Sequence, residues 1–140
     1  MQLSTHVSLA DATASQTAAR NGLKNQPPPE LIPVLRATAN GIYEPLWYAT
    51  DGQIRISSFY RSEAVNAAVG GSKTSQHVKG EAMDLQATGT LTNGQLYELV
   101  KATLKVWDQL IWEFGDDKNP AWVHVSVRKV GNRMQELRIG

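Results

Sequence analysis

No cysteine occurs among the 140 residues. Disulfides and thiolate metal sites are therefore excluded, and His, Asp and Glu remain as the strong metal ligands. The absence does not choose between redox compartments. Histidine is scarce, with three in the chain. An excess of one charge is missing too: 14 basic residues face 13 acidic ones, for a net charge of +1. No basic run exceeds two residues, so neither nucleic acid nor an anionic membrane is an expected partner. No segment approaches the roughly 20 apolar residues of a membrane helix. The N-terminus MQLSTHVSLADATASQTAAR has no basic n-region and no apolar run of signal-peptide length. Action outside the cytoplasm would thus need another agent for delivery. Repeats, linkers and low-complexity stretches are absent as well. What is present is a composition 41% hydrophobic, enough for one core. The expectation is a single domain over residues 1–140, acting as a monomer.

Ser8 with Asp11 reads as an N-cap and its partner, opening an alanine-rich helix to about Arg20 that Gly22 stops. NQPPPE breaks the chain. Leu31, Val34, Leu35, Thr38, Ile42 and Leu46 then recur at helical spacing, predicting a second helix over Glu30–Trp47, bent or frayed by Gly41 and Pro45. QIRISS (53–58) follows the turn Asp51-Gly52 and reads as a strand. A short helix is expected near Ser62–Val69, closed by Gly70-Gly71. AMDLQ (82–86) alternates as a strand should. Thr92 and Gln95 form a capping-box pattern that opens a helix to about Leu104. QLIWEF (109–114) and WVHVSV (122–127) are the clearest strands, joined by GDDKNPA, and Met134–Ile139 is expected as an edge strand. Helices first and antiparallel strands later predict an α+β fold with helices on one face of the sheet.

Alternation assigns faces. Val123, Val125 and Val127 take one side of their strand, leaving His124 on the other with Trp122, Ser126 and Arg128. Met83 and Leu85 likewise leave Asp84 on the non-core side. If the two strands are neighbours, Asp84 and His124 project together, and Gly80 lets the loop carrying His77 turn back toward them. Two imidazoles, a carboxylate and an open position suit catalytic zinc. A lone histidine is more often a surface or satisfied core residue than a ligand. Here the ensemble of permitted ligand types and matched strand polarity favours a site. His6 reads as a surface residue, and Trp107, Trp112 and Trp122 as core, although Trp122 falls on the histidine face. Tyr60 either lines the cleft or packs.

SSFYRSEAVNAAVGGSKTSQHVKGEAMDL, with QLIWEF and WVHVSV after it, resembles the zinc D-alanyl-D-alanine carboxypeptidase family. That family includes phage L-alanyl-D-glutamate endolysins and shares a fold with the hedgehog N-terminal domain. Its SxHxxGxAxD marker is met by Ser75, His77, Gly80, Ala82 and Asp84, and its WxH-like segment by Trp122 and His124. The upstream SQTAARNGLKNQPPPELIPVLRATANGIYEPLW resembles the helical front of short phage-encoded members, so the likeness covers nearly the whole chain. It implies a hedgehog/DD-peptidase-like fold, a Zn2+ cofactor on His77, Asp84 and His124, and hydrolysis of peptide bonds in peptidoglycan stem peptides. Arg61 would bind a substrate carboxylate or carbonyl, or else pair with Glu63 at the surface. Ser75 would hydrogen-bond substrate or hold the ligand loop, and Trp122 would wall the cleft. A phage or prophage lysis role is implied, with the protein waiting in the host cytoplasm for a holin or carried in the virion.

One departure stands out. Many members place a catalytic glutamate three residues before the second histidine, where this chain has Ala121. Strand logic nominates Glu113 instead. With Leu110, Trp112 and Phe114 on the core side, Glu113 shares the face of His124, in a register pairing the two residues. It would serve as base or as an orienting partner of a histidine. Asp116 and Asp117 of the loop compete for the base role. Without any base, the chain would be a non-catalytic zinc-containing wall-binding or virion module.

Overall fold

The computed structural model describes residues 1–140. The chain starts with a small hairpin, β1 (Gln2–Ser4) and β2 (Val7–Ser8), which the sequence pattern does not announce. His6 sits at its turn. It is not a free surface residue: its ring stacks on Trp47 at 3.7 Å and its Nδ1 lies 2.6 Å from Glu44 Oε1.

The expected first helix divides into α1 (Leu9–Thr13) and α2 (Gln16–Asn21). The capping box of Ser8 and Asp11 opens α1 as its spacing suggests. The division comes at Ser15, whose hydroxyl accepts the Ala18 N–H at 3.1 Å and starts a new N-terminus. Serine offers the backbone this alternative to a continuing ladder. Gly22 ends α2 in the left-handed conformation at φ +63°.

A 3-10 turn at Pro29–Leu31 leads into α3 (Ile32–Thr38), a π-helical turn (Ala39–Tyr43) and α4 (Glu44–Ala49). The predicted bend is thus a widened turn. Pro45 has no N–H for the carbonyl of Gly41, and the Glu44 N–H bonds instead to Ala39. A π-turn accommodates this interruption without ending the rod.

The main sheet contains β3 (Ile54–Ser58), β4 (Ala82–Ala87), β5 (Gln109–Glu113), β6 (Trp122–Ser126) and β7 (Gln135–Ile139), ordered β3-β4-β6-β5-β7. Between them lie α5 (Glu63–Ala68), capped by Ser62, and α6 (Asn93–Thr103), opened by the Thr92–Gln95 capping box. The class is α+β, as the element order implies. The sheet is mixed, because the C-terminal strand adds at the edge but runs parallel to β5. The chain leaving β6 crosses back to the start of β5, where Met134 and Gln135 N–H groups bond the carbonyls of Trp107 and Asp108 at 3.1 and 3.0 Å. From that end β7 can only run alongside β5 in its direction.

Met83, Leu85, Leu110, Val123 and Val125 are fully buried and share one cluster with Leu35, Ile42, Leu46, Leu96 and Val100 of the helices. Burying each such side chain is worth about 1.5–3 kcal/mol. The opposite face of the same strands is thereby left to polar groups. No helix is long and apolar enough to cross a membrane.

Candidate metal centre and cleft

β4 and β6 are neighbours, and Asp84 stands directly opposite His124 in their antiparallel register. His77 joins them from the loop before β4. Gly80 allows that loop to turn, at φ +72°, and a Cβ there would stand 3.0 Å from Leu35 Cδ2. The Gly80 carbonyl accepts the buried Thr38 hydroxyl at 2.7 Å, tying the turn to α3. The Ser75 hydroxyl accepts the His77 N–H at 3.2 Å, so it holds the ligand loop.

His77, Asp84 and His124 are all buried, and one potential ligand atom from each lies within 4.8 Å of the others. His77 Nδ1 lies 2.7 Å from the Phe59 carbonyl and must donate to it. In the neutral ring, the form that binds a metal, its Nε2 then carries a lone pair. That nitrogen has no hydrogen-bond partner, although it sits 3.3 Å from Asp84 Oδ2. A lone pair facing a buried carboxylate calls for a cation between them. His124 Nδ1 lies 3.0 Å from the other oxygen, Oδ1. Bonds of ~2.1 Å in a tetrahedral zinc site put ligand atoms ~3.4 Å apart, close to both separations. The donor set and its spacing fit zinc.

Burial opposes ionisation of Asp84, but positive charge on the two histidine rings, His77 foremost, outweighs it when no metal is bound and holds the carboxyl well below its usual range. Arg61 also pairs with this carboxylate, its Nη2 3.2 Å from Asp84 Oδ2. This is its ion pair; Glu63 is not its partner. Its Nε bonds Ser58 Oγ at 3.2 Å and Nη1 bonds Asn66 Oδ1 at 3.3 Å. Of five guanidinium N–H groups, two remain for a substrate. Gly71 is glycine for this reason: a Cβ there would fall 2.1 Å from Asn66 Oδ1.

Glu113 lies on the same face, as alternation implies, but in a different register. It pairs with Trp122, and Ile111 stands opposite His124. The displacement is two residues, so the face is preserved. Glu113 Oε1 is 3.9 Å from His124 Nδ1, and Oε2 accepts the Trp122 indole N–H at 2.5 Å. Burial, and then the Asp84 charge, push the Glu113 carboxyl up. The Ala121 N–H donates to the Glu113 carbonyl at 2.9 Å. Glu113 thus comes from the neighbouring strand into the vicinity of the position that Ala121 occupies.

The loop aspartates are engaged elsewhere. Asp116 Oδ1 accepts the N–H groups of Lys118 and Asn119 at 2.8 and 2.9 Å. Asp117 pairs with Arg138 at 2.7 Å. Neither lines the cleft. Tyr60 packs in the core. Phe114 does not share the core side with Leu110 and Trp112, because the strand ends at Glu113. Left-handed turns at Phe114 (φ 57°) and Gly115 (φ 74°) swing the ring against Trp122, 5.3 Å between centroids.

The cleft over this group has a volume of about 710 Å³ and is walled by Arg61, Ser75, Glu113, Phe114 and Trp122 among others. Arg128, which alternation puts on the face of His124, also lines it, as do Gln109, Ile111 and Arg133, which went unnoticed in the sequence. Gln109 and Ile111 were open to detection, since they alternate with Leu110 and Trp112. Arg133 lies in coil, where no period marks a side chain's direction.

The Peptidase M15 family model matches residues 5–126. No curated protein matches the chain. The match spans most of the fold and contains both histidines and the aspartate of the buried group. With a zinc-fitting His-Asp-His centre in an α+β frame, this chain belongs to the peptidase M15 family, whose members are zinc-dependent peptidases.

Proposed function

We propose that the protein is a zinc peptidase that hydrolyses peptide bonds in peptidoglycan stem peptides, of the D-Ala-D-Ala carboxypeptidase or L-Ala-D-Glu endopeptidase type. The observation that carries this reading is the unpartnered His77 Nε2 facing the Asp84 carboxylate, with the Glu113 carboxylate close by in an open cleft. His77, Asp84 and His124 hold the metal. When bound, zinc supplies a Lewis acid that polarises a carbonyl and brings the pKa of a water to about 7. Glu113 takes the proton of the attacking water and returns it to the leaving amine. Its carboxyl is raised by burial, which suits a group that must both accept and release a proton. The Trp122 N–H keeps Glu113 oriented as a base and away from the ligand set. Arg61 directs its two free N–H groups at the substrate's carbonyl or carboxylate. Ser75 holds the His77 loop and presents its hydroxyl at the cleft wall.

The resemblance to short phage-encoded members supports a role in phage or prophage cell-wall lysis, with the host cytoplasm before release, or the virion, as location. The test is a digest of muropeptides by the zinc-loaded protein, with and without chelator, read by mass spectrometry. Chelator-sensitive cleavage is expected. Glu113→Ala should retain zinc and lose turnover. Intact peptides from the zinc-loaded wild type would instead favour a non-catalytic zinc module, the reading that Ala121 alone would support.

A further inference from the structure

One end of the cleft is built by residues beyond the span shared with the family. Arg128 and Arg133 line it, and the family match stops at residue 126. Glu113, Ile111 and Gln109 follow one another along the cleft side of β5, and Trp122 and His124 along β6, with Arg128 just past the strand. The cleft therefore has a direction. Phe114, Trp122 and Ile139 make an apolar end, the metal ligands and Glu113 stand between, and Gln109, Arg128 and Arg133 make a basic end.

The basic end is a built structure. Asp108, fully buried at the start of β5, accepts Arg133 side-on, from Nε at 3.0 Å and Nη2 at 2.7 Å. It also accepts the Arg133 backbone N–H at 2.9 Å. Arg128 Nε lies 3.2 Å from the same carboxylate. Two guanidinium groups on one carboxylate leave one positive charge uncompensated. Asn132 grips the Arg128 backbone from both sides, accepting its N–H at 2.7 Å and donating to its carbonyl at 2.9 Å. Yet the side chain of Arg128 remains 40% exposed. No hydrogen bond within the chain engages its Nη1 or Nη2, so four N–H donors point from an anchored base. A clamp for the 127–134 loop needs Asp108, Arg133 and Asn132; it does not need that open fork.

We propose that Arg128, backed by Arg133 and Asp108, is an anion subsite that binds a carboxylate of the peptide substrate remote from the bond cut, so that the enzyme selects acidic peptides. The planar fork matches a carboxylate in two parallel hydrogen bonds. Arg128 follows His124 by four positions, about 13 Å at ~3.3 Å per residue. An extended peptide bridges that span with roughly two to four residues, allowing for the reach of the arginine. The inference rests on reading the cleft as a peptidase site.

Binding can be read without turnover in the zinc-loaded Glu113→Gln chain. Isothermal titration calorimetry would compare a synthetic stem pentapeptide, all carboxylates free, with versions amidated at one carboxylate at a time. Amidating one of them should weaken binding about tenfold, the low end for a charge-assisted pair. Adding Arg128→Gln should erase that acid–amide difference, and Arg128→Lys should restore part of it. Lys129→Gln removes the same charge from the next residue and should keep the difference whole. Equal binding of all peptides, or a full difference surviving Arg128→Gln, would overturn the subsite. A structural role would lower the melting temperature of Arg128→Gln and leave the acid–amide difference intact. Failure of the peptidase reading shows separately, as absence of zinc-dependent cleavage by the wild type.

Discussion

Trp122→Phe separates the base role of Glu113 from that of a mere neighbour. The substitution deletes an indole N–H that reaches Glu113 Oε2 at 2.5 Å and keeps an aromatic ring against Phe114. A hydrogen bond to a charged group contributes about 1.5–3 kcal/mol. That energy favours only the ionised carboxylate, and 1.36 kcal/mol corresponds to one pKa unit. Losing it should raise the Glu113 pKa by roughly one to two units. The direction follows from the wild type, where burial and the Asp84 charge push the carboxyl up while the indole pulls it down. A base must be ionised to accept a proton, so activity falls on the acid side. The acid limb of kcat/KM for the zinc-loaded variant should therefore move about one to two units toward alkaline pH. Activity above the limb should change no more than a few-fold. The assay is a pH profile of stem-peptide cleavage, with zinc content measured in parallel. An acid limb that stays in place, in a folded variant with full zinc, would refute Glu113 as the base.

His77→Ala should lower the zinc stoichiometry measured by elemental analysis; an unchanged value would remove His77 from the ligand set. In the wild type, free zinc at ~1,000 times its Kd should add about 4 kcal/mol of stability, roughly 12 °C in Tm at ~3 °C per kcal/mol, and the variant should lose most of that gain. Asp108→Asn probes the ion cluster at the basic end of the cleft. The Arg133 hydrogen bonds foremost hold the Asp108 carboxyl below its usual value, so its stabilisation is present above about pH 4 and disappears as pH falls through the lower folded value. The variant should melt below the wild type by roughly 3–9 °C at pH 7, for a loss of about 1–3 kcal/mol, and the two should converge in strong acid. A gap of the same size at both pH values would contradict this origin.

Alternation in β4 and β6 was enough to put Asp84 and His124 on one face, because a strand buried on one side has a period that any reader can follow. The same rule placed Glu113 on that face and missed its partner. A two-residue displacement leaves every side chain on its original side, so polarity cannot distinguish Glu113 opposite His124 from Glu113 opposite Trp122. The difference is nearly 7 Å along the strand and decides that Glu113 stands opposite Trp122, whose indole N–H its carboxylate accepts. Phe114 escaped because a left-handed residue has no hydrophobic signature of its own. Arg61 was legible as a site residue from the family motif, but its pairing with Asp84 depends on how the loop after β3 folds back. The split between α1 and α2 is a local contest between a serine cap and a helical ladder, which propensity sums do not resolve.

The course of β7 has a practical consequence. The Phe114 N–H bonds the Ile139 carbonyl at 2.7 Å, and a Cβ on Gly140 would meet the Phe114 ring at 2.6 Å. Whatever polypeptide is joined after Gly140 therefore emerges at the apolar rim of the cleft, beside Phe114. An affinity tag or partner domain placed there would crowd the substrate entrance. One attached ahead of Met1 departs from the hairpin packed on the helical layer, behind the sheet. For fusions the two termini are not equivalent, and only the N-terminal one leaves the entrance open.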